Sequence, residues 1–154
     1  MTILRRNDRA ISKAEAMAIL HKAEYGILST VSADGQPYGV PLSFCIMENS
    51  LYFHHAVEGR LIENIENKPI GSFCAVGDTE LIPNKFATKY ESVIVYGNIE
   101  EVFDAQKKVG LELFLKKYSS DFIENGRKFI KNNSGRTRVF RMTICDISGK
   151  ARKK

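Results

Sequence analysis

The chain contains no tryptophan, three cysteines and four prolines among its 154 residues. No stretch approaches the roughly 20 consecutive apolar residues that a helix needs to cross a bilayer. The first residues also lack the apolar run of a secretory signal peptide. These absences argue against a disulfide-stabilised secreted scaffold and a membrane protein. Because 154 residues with 44% apolar content suffice for one core, we predict a single cytoplasmic domain over residues 1–154.

The cysteines are odd in number, and each lies in an apolar run typical of a strand. Cys45, Cys74 and Cys145 are therefore predicted to be reduced core residues. A reactive thiolate needs a neighbouring base or cation, and the adjacent sequence supplies neither. A catalytic thiol is thus disfavoured.

The formal net charge is +5 at pH 7, but the excess is concentrated at the two ends of the chain. The sequence has no zinc-finger spacing, no RNA-binding aromatic motif and no continuous basic helix face. Nucleic-acid binding therefore rests on net charge alone, whereas a phosphorylated small molecule suits this balance equally well. No glycine-rich phosphate loop of the dinucleotide-binding or NTPase type is present.

The pattern of apolar residues predicts an α+β, mainly β domain with helices between the strands. Ser12 and Glu15 form a capping-box motif, which predicts a helix over 13–23. Asp34-Gly35 is turn chemistry between two strands, which predicts a hairpin. The predicted strands cover 25–31, 38–47, 51–55, 70–76, 92–102 and 137–145; the other helices cover 60–67, 105–117 and 121–131, and a long loop covers 77–89.

Two prolines constrain the second strand. Pro37 and Pro41 have no amide hydrogen to donate, so this strand must lie at a sheet edge or carry a bulge near Val40-Pro41. The run over 92–102 is the longest strand signal and is predicted to lie at the centre of the sheet.

Several motifs in order resemble a known family. They are Tyr25–Thr30, Gln36–Leu42, Tyr52–Ala56, Gly59–Leu61, Tyr90–Gly97 and Ile147–Arg152. Together they resemble the nitroimidazole-resistance (Nim) branch of the pyridoxamine 5′-phosphate oxidase-like superfamily. The resemblance implies a six-stranded split β-barrel with flanking helices, and a homodimer that binds FMN at the subunit interface.

The resemblance also points to a phosphate site at Arg60 and Leu61. The FMN phosphate needs cations and oriented amide donors, and Arg60 in the first turn of a predicted helix offers both. Many relatives carry lysine at this position, and arginine keeps the charge while changing the geometry. The alternative is an exposed arginine that pairs with Glu58 or Glu63.

The flavin ring is expected, by the same resemblance, against Val40, Pro41 and Leu42 and against Ser29 and Thr30 on the preceding strand. An apolar slot with backbone donors and acceptors suits its flat ring. The alternative is that these are ordinary barrel-lining residues, Leu42 above all.

His54 and His55 are the candidate catalytic residues, since the resemblance places the end of their strand beside the flavin. Adjacent strand residues point to opposite faces, so the pair cannot chelate one metal, and no metal site is predicted. Either histidine would donate a hydrogen bond to FMN or a proton to substrate, or else be structural. Lys150, in a basic tail over about 148–154, would close over the neighbouring subunit's flavin or remain solvated.

The function implied by the resemblance is an FMN-dependent oxidoreductase. Electrons would pass from a reduced small-molecule donor through the flavin to a small acceptor such as a nitroimidazole. Two alternatives remain open: a non-catalytic flavin carrier or sensor, and a split barrel that uses haem or a deazaflavin.

Overall fold

Eight strands and four α-helices make up residues 4–153, the part of the chain that this computed structural model describes. The strands are β1 (Ala10–Ile11), β2 (Tyr25–Val31), β3 (Pro37–Ser43), β4 (Cys45–Met47), β5 (Ser50–His55), β6 (Ile70–Ile82), β7 (Ala87–Val102) and β8 (Arg138–Arg152). The helices are α1 (Lys13–Lys22), α2 (Arg60–Asn67), α3 (Asp104–Tyr118) and α4 (Ile123–Asn133). Short 3₁₀ turns connect some of them.

All strand pairs are antiparallel, in the order β3-β2-β6-β7-β8-β5-β4, with β1 added to β8. β7 is central, as predicted, and contacts between β3 and β5 bring the two ends of the curled sheet together. The mainly β split-barrel prediction is confirmed. The sheet has eight strands rather than six because Phe44 separates β3 from β4 and the two-residue β1 pairs with β8.

Two apolar clusters separate the molecule into a barrel and a helical side. Inside the barrel lie fully buried side chains from five strands, namely Leu28, Phe53, Phe73, Val95 and Phe140. The outer side of β5 and β8 packs against α3 through Tyr52, Val139, Leu111 and Phe114. Successive strand residues point to opposite faces, so β5 contributes to both clusters.

Local signals in the first half of the chain are confirmed. Ser12 and Glu15 form both hydrogen bonds of the capping box at the start of α1. β3 is an edge strand, and its pairing with β2 is unbroken from Pro37 to Ser43, so Pro41 is tolerated at the edge without a bulge.

The predicted loop over 77–89 is wrong, because β6 and β7 continue through it as a hairpin arm. The arm pairs Thr79 with Tyr90 and Ile82 with Ala87, and it turns through Pro83–Lys85. A pairing irregularity between Val76 and Thr79 marks its base. Much of the arm is exposed, so the sequence there lacks the apolar alternation that marks a half-buried strand.

The expectations for the C-terminus and for the cysteines also need correction. Residues 148–152 of the predicted tail belong to β8, where Lys150 pairs with both Ala10 and Ser92, while residue 154 lies outside the described residues. Cys45 is buried, but Cys74 is half-buried and Cys145 is exposed. Cys74 and Cys145 lie in strands that are buried on one face only, so the apolar run around each of them does not show that the cysteine itself is buried. None of the described helices combines the length and the apolar character needed to span a membrane.

Candidate functional site

The N-terminus of α2 presents free amide groups. Gly59 precedes the helix with φ of 130°, a conformation that favours glycine, and no side chain caps this end. The first helical bond runs from the Glu63 amide to the Gly59 carbonyl at 3.1 Å. The amides of Arg60, Leu61 and Ile62 therefore have no partner within the helix and suit an anion.

The Arg60 guanidinium adds a positive charge at this end. It lies over the ring of Tyr38, 5.5 Å from the centroid, and the residue is exposed. Among residues 4–153, no carboxylate forms an ion pair with it, so the predicted alternative with Glu58 or Glu63 is not seen. Its charge only helps to lower the pKa of Asp34, for which a hydrogen bond from a serine hydroxyl is the main cause. The guanidinium therefore remains available to a ligand.

Polar contacts hold α2 against the barrel. Asn64 Nδ2 donates to Thr30 Oγ1 at 3.0 Å, and both residues are buried. At the other end, Arg138 Nη1 binds Glu66 Oε1 at 3.0 Å. Thr30 thus positions α2 rather than offering its side chain to a ligand. The sequence analysis did not identify Asn64. The signal that could have identified it is a polar residue on the apolar face of a predicted helix.

The side chain and the backbone amide of Leu61 lie in different surroundings. Its side chain is buried in the barrel core, so only its backbone amide faces the helix terminus. Val40 and Leu42 also point inward against the core, which favours the barrel-lining alternative for their side chains. Pro41 lies on the outer face, opposite Ile27.

A cavity of about 440 Å³ opens on the outer face of the sheet. Pairing places Ser29 beside Ser72 and Ser72 beside Tyr96, so the cavity crosses β2, β6 and β7 and reaches Cys145 on β8. Its walls are Ser29, Thr30, Val31, Ile70, Gly71, Ser72, Tyr96, Gly97, Asn98 and Cys145. Of these, only Ser29 and Thr30 were expected from the sequence, because β6, β7 and β8 join β2 only through long-range pairing.

One glycine shapes the wall of this cavity. A Cβ at Gly97 would overlap the backbone of Thr143, so glycine lets β8 approach β7 closely. The pairing of β7 with β8 shifts at this point, between Tyr96 and Gly97. On the exposed side, Asn98 Nδ2 lies 3.6 Å from Cys145 Sγ.

The two histidines occupy different environments. His55 is half-buried near the segment that leads into α2: its Nδ1 is 3.2 Å from the Ala56 carbonyl, and its ring borders Gly59. His54 points the other way, and its ring meets Phe114 edge-on at 4.7 Å. Although His54 keeps an exposed edge, desolvation lowers its pKa. His55, and not His54, therefore lies near the start of α2, where Arg60 is located.

Lys150 lies away from this cavity. It is half-buried opposite Ser92 on the outer face, whereas the cavity lies at the level of Tyr96. That separation of four residues is about 13 Å along a strand. In the described part of the chain, no group of three histidine, cysteine or acidic side chains is placed to hold a metal ion.

Solved structures share this fold. A protein from Bacteroides thetaiotaomicron proposed to confer 5-nitroimidazole antibiotic resistance is 21% identical, with a TM-score of 0.74 over 92% of this chain and 85% of that one. A conserved hypothetical protein from Mycobacterium tuberculosis is 15% identical, with a TM-score of 0.82 over 97% and 90%. An FAD-binding protein from Mesorhizobium loti is 25% identical, with a TM-score of 0.68 over 94% and 98%.

Family membership rests on the sequence itself. Among curated protein sequences, none shows significant similarity to this chain. The family model described as pyridoxamine 5′-phosphate oxidase, however, matches residues 12–151, which include β2 to β7, nearly all of β8, and α2. The chain therefore belongs to the pyridoxamine 5′-phosphate oxidase family.

Proposed function

We propose that this protein is an FMN-binding oxidoreductase that acts as a homodimer. In this proposal, electrons pass from a reduced small-molecule donor through the flavin to a small acceptor. The observation that carries it is the unpaired Arg60 guanidinium at the open N-terminus of α2, beside His55. Family membership and the FAD-binding protein of the same fold support a flavin as the ligand.

The residues present fit FMN. Its phosphate carries about −1.5 to −2 charges near neutral pH, by analogy with phosphorylated side chains. Arg60 and the first amides of α2 supply the compensating charge and donors. The outer cavity has mainly apolar walls with the hydroxyl-bearing side chains of Ser29, Ser72 and Tyr96, which suits a flat ring with a polar edge.

The bound flavin would supply the redox chemistry, and the protein would bind and orient the reactants. His55 is the candidate proton donor because it is the histidine on the side of α2. We do not propose this role for His54, because its ring lies against Phe114. The apolar walls of the outer cavity would limit the access of water to the reactants.

The dimer is proposed from the outer face of the sheet. Pairing registers place six exposed apolar side chains on this face: Tyr25, Ile27, Ile70, Val76, Ile94 and Tyr96. Monomeric soluble proteins rarely expose a continuous apolar patch of this kind. If two copies pack through it, the outer cavity gains a second wall, and Lys150 on the same face comes within reach of the partner's site.

A nitroaromatic acceptor is the most specific version of the proposal. It is supported by the fold shared with the protein proposed to confer 5-nitroimidazole resistance, at 21% identity. This acceptor would be reduced at the flavin, while the protein determines which molecules reach it.

The first experiment is the visible spectrum of the purified protein, followed by mass spectrometry of any chromophore released on denaturation. We expect flavin bands and the mass of FMN. Steady-state oxidation of NADH or NADPH with a nitroimidazole should then exceed that of free FMN at the same concentration. Retained FMN without such turnover would indicate a carrier or sensor instead. A haem or deazaflavin spectrum would mean that this other cofactor takes the place of FMN. A colourless protein that does not take up FMN would overturn the proposal.

A further inference from the structure

A second cleft lies on the helical side of the molecule, across β5 from the barrel interior. We call it the helix groove; its volume is about 750 Å³, within the range of small-molecule sites. Its walls come from α3, α4 and the turn after α4: Asp104, Lys107, Lys108, Leu111, Glu112, Arg127, Ile130, Lys131 and Ser134. It shares no residue with the outer cavity.

The rim of the helix groove is positively charged. Glu112 is neutralised by Arg127, whose Nε lies 2.7 Å from its carboxylate. Lys107 Nζ donates to the backbone carbonyl of Ser134 at 2.7 Å, so no carboxylate balances its charge. Within residues 4–153, neither Lys108 nor Lys131 forms an ion pair. Three ammonium groups therefore stand at the mouth against the single unpaired carboxylate of Asp104.

The floor of the helix groove is apolar. A smaller chamber of about 180 Å³ shares the groove residues Leu111, Ile130 and Ser134. Phe114, Leu115 and Phe129 provide most of its remaining surface, and His54 closes one side. In the described structure, His54 has the edge-on contact with Phe114 and no hydrogen bond, so its ring nitrogens are available to a ligand.

The packing of the two helices explains why this space stays open. A Cβ at Gly126 would overlap the side chain of Leu115, so glycine permits the helices to meet closely at that point. No residue of α4 is buried, and Phe129 at the edge of the chamber is 68% exposed. The helix pair is therefore joined at one level and leaves accessible apolar surface elsewhere.

We propose that the helix groove binds an amphipathic monocarboxylate, such as a medium-chain fatty acid. Its carboxylate would lie at the rim formed by Lys107, Lys108 and Lys131, and its apolar chain would enter the chamber beside His54. Asp104 on the same rim disfavours a polyanion such as a nucleotide, because an extra negative charge would meet this unpaired carboxylate. This binding site is separate from the proposed flavin site and does not depend on it.

Decanoate titrated into the purified full-length protein tests this proposal, with calorimetry for affinity and NMR of the histidine rings for location. We expect saturable binding that shifts the His54 signals and leaves those of exposed His21 in place. The double variant K108E/K131E should weaken binding by about tenfold or more, since attraction becomes repulsion. Its matched control is K116E/K128E, which makes the same charge change at exposed positions of α3 and α4 outside the groove and should bind like the unaltered protein.

Decanol serves as the chemical control, because it has the chain without the carboxylate, and it should bind markedly more weakly. The proposal is overturned if decanoate leaves His54 unshifted at millimolar concentration, if K108E/K131E binds as tightly as K116E/K128E, or if decanol binds equally well. A thermal melt of both double variants verifies folding. All four exchanged lysines are exposed, so both variants should retain the fold.

Discussion

Arg60 is an exposed arginine with no ion-pair partner in the described chain, at a helix end whose amides are open. A cation so placed contributes little to folding, because it lies over the ring of Tyr38 and otherwise acts only weakly on Asp34. Its position fits the phosphate site proposed above.

We expect Arg60→Ala to weaken FMN binding by about 10- to 100-fold, because a charge-assisted hydrogen bond contributes about 1.5–3 kcal/mol. The FMN affinity of Arg60→Lys should lie between those of the unaltered protein and Arg60→Ala, since lysine keeps the charge but not the two-pronged geometry. Titration of apoprotein with FMN, followed by flavin fluorescence, measures both. Arg136→Ala, at another exposed arginine, is the control. Equal affinity of the two alanine variants would place the phosphate elsewhere.

His54 gives a prediction about acid stability. Desolvation is the main cause of its lowered pKa, with a smaller contribution from His55. The unfolded chain therefore binds a proton more readily near pH 6, so this residue's contribution to stability is present above about pH 6.5 and is lost as the pH falls. His54→Phe should flatten the decline in unfolding free energy between neutral and mildly acidic pH.

Urea unfolding at a series of pH values measures that slope. His21→Phe at an exposed position of α1 makes the same substitution and is the matched control. If the unfolding free energy of His54→Phe declines with falling pH as steeply as that of the unaltered protein, the imidazole is not what destabilises the fold in acid.

At the scale of elements, the C-terminus of α3 is tied to the barrel by two neighbouring side chains. Lys117 Nζ donates to the carbonyls of Ala23 and Phe44 at 2.7 and 2.8 Å. The Tyr118 hydroxyl accepts from the Phe44 amide at 3.0 Å and lies 2.6 Å from the Glu24 carbonyl. These bonds hold the end of α1 and the β3–β4 junction, where the backbone has left regular pairing.

Lys117→Met should destabilise the protein by about 1–3 kcal/mol, because it removes the side-chain donor of the Ala23 carbonyl and leaves the Phe44 carbonyl with Tyr118 alone. Lys116→Met, one residue earlier and exposed, should change stability by no more than about 0.5 kcal/mol. Denaturant unfolding of the two variants under the same conditions gives the comparison. Equal midpoints would show that water replaces the ammonium group at no cost.

The hairpin arm shows the limit of local patterns for an element. β6 and β7 pair as far as Ile82 and Ala87, although most of these residues are exposed and the sequence predicts a loop. Backbone hydrogen bonding extends the strands here without a buried face. The helices α2, α3 and α4, by contrast, follow their predicted bounds to within two residues at each end, because helical hydrogen bonds and apolar spacing are local.

At the scale of the whole molecule, the exposed apolar face of the sheet is the feature that a monomer leaves unexplained. Ile94 lies near its centre, between Cys74 and Ser148 in the pairing register. A charge there would have to be buried without a partner if two copies pack through this face.

We therefore expect Ile94→Lys to convert a dimer to a monomer and to reduce FMN occupancy, since the proposed site spans the interface. Sedimentation velocity and the flavin-to-protein absorbance ratio measure these effects. Leu81→Lys, at an exposed apolar position on the arm, is the control for added charge and should remain dimeric. A dimer that survives Ile94→Lys would exclude this face as the interface.

The sequence by itself determined the features that depend on neighbouring residues or on ordered motifs. These include the capped start of α1, the Asp34-Gly35 turn, the central strand, the split-barrel family and Arg60 at the first position of α2. Each follows from local backbone chemistry, or from motifs that keep their order along the chain.

Only the tertiary structure decided which face of β5 is interior, and hence that His55 borders α2 while His54 borders the helix groove. It also decided the bond between Asn64 and Thr30 and the cavity that joins Ser29 to Tyr96. The physical reason is that the two-residue repeat of a strand determines which side chains share a face, but not which face is buried. That choice is made by pairing and packing between residues far apart in the chain.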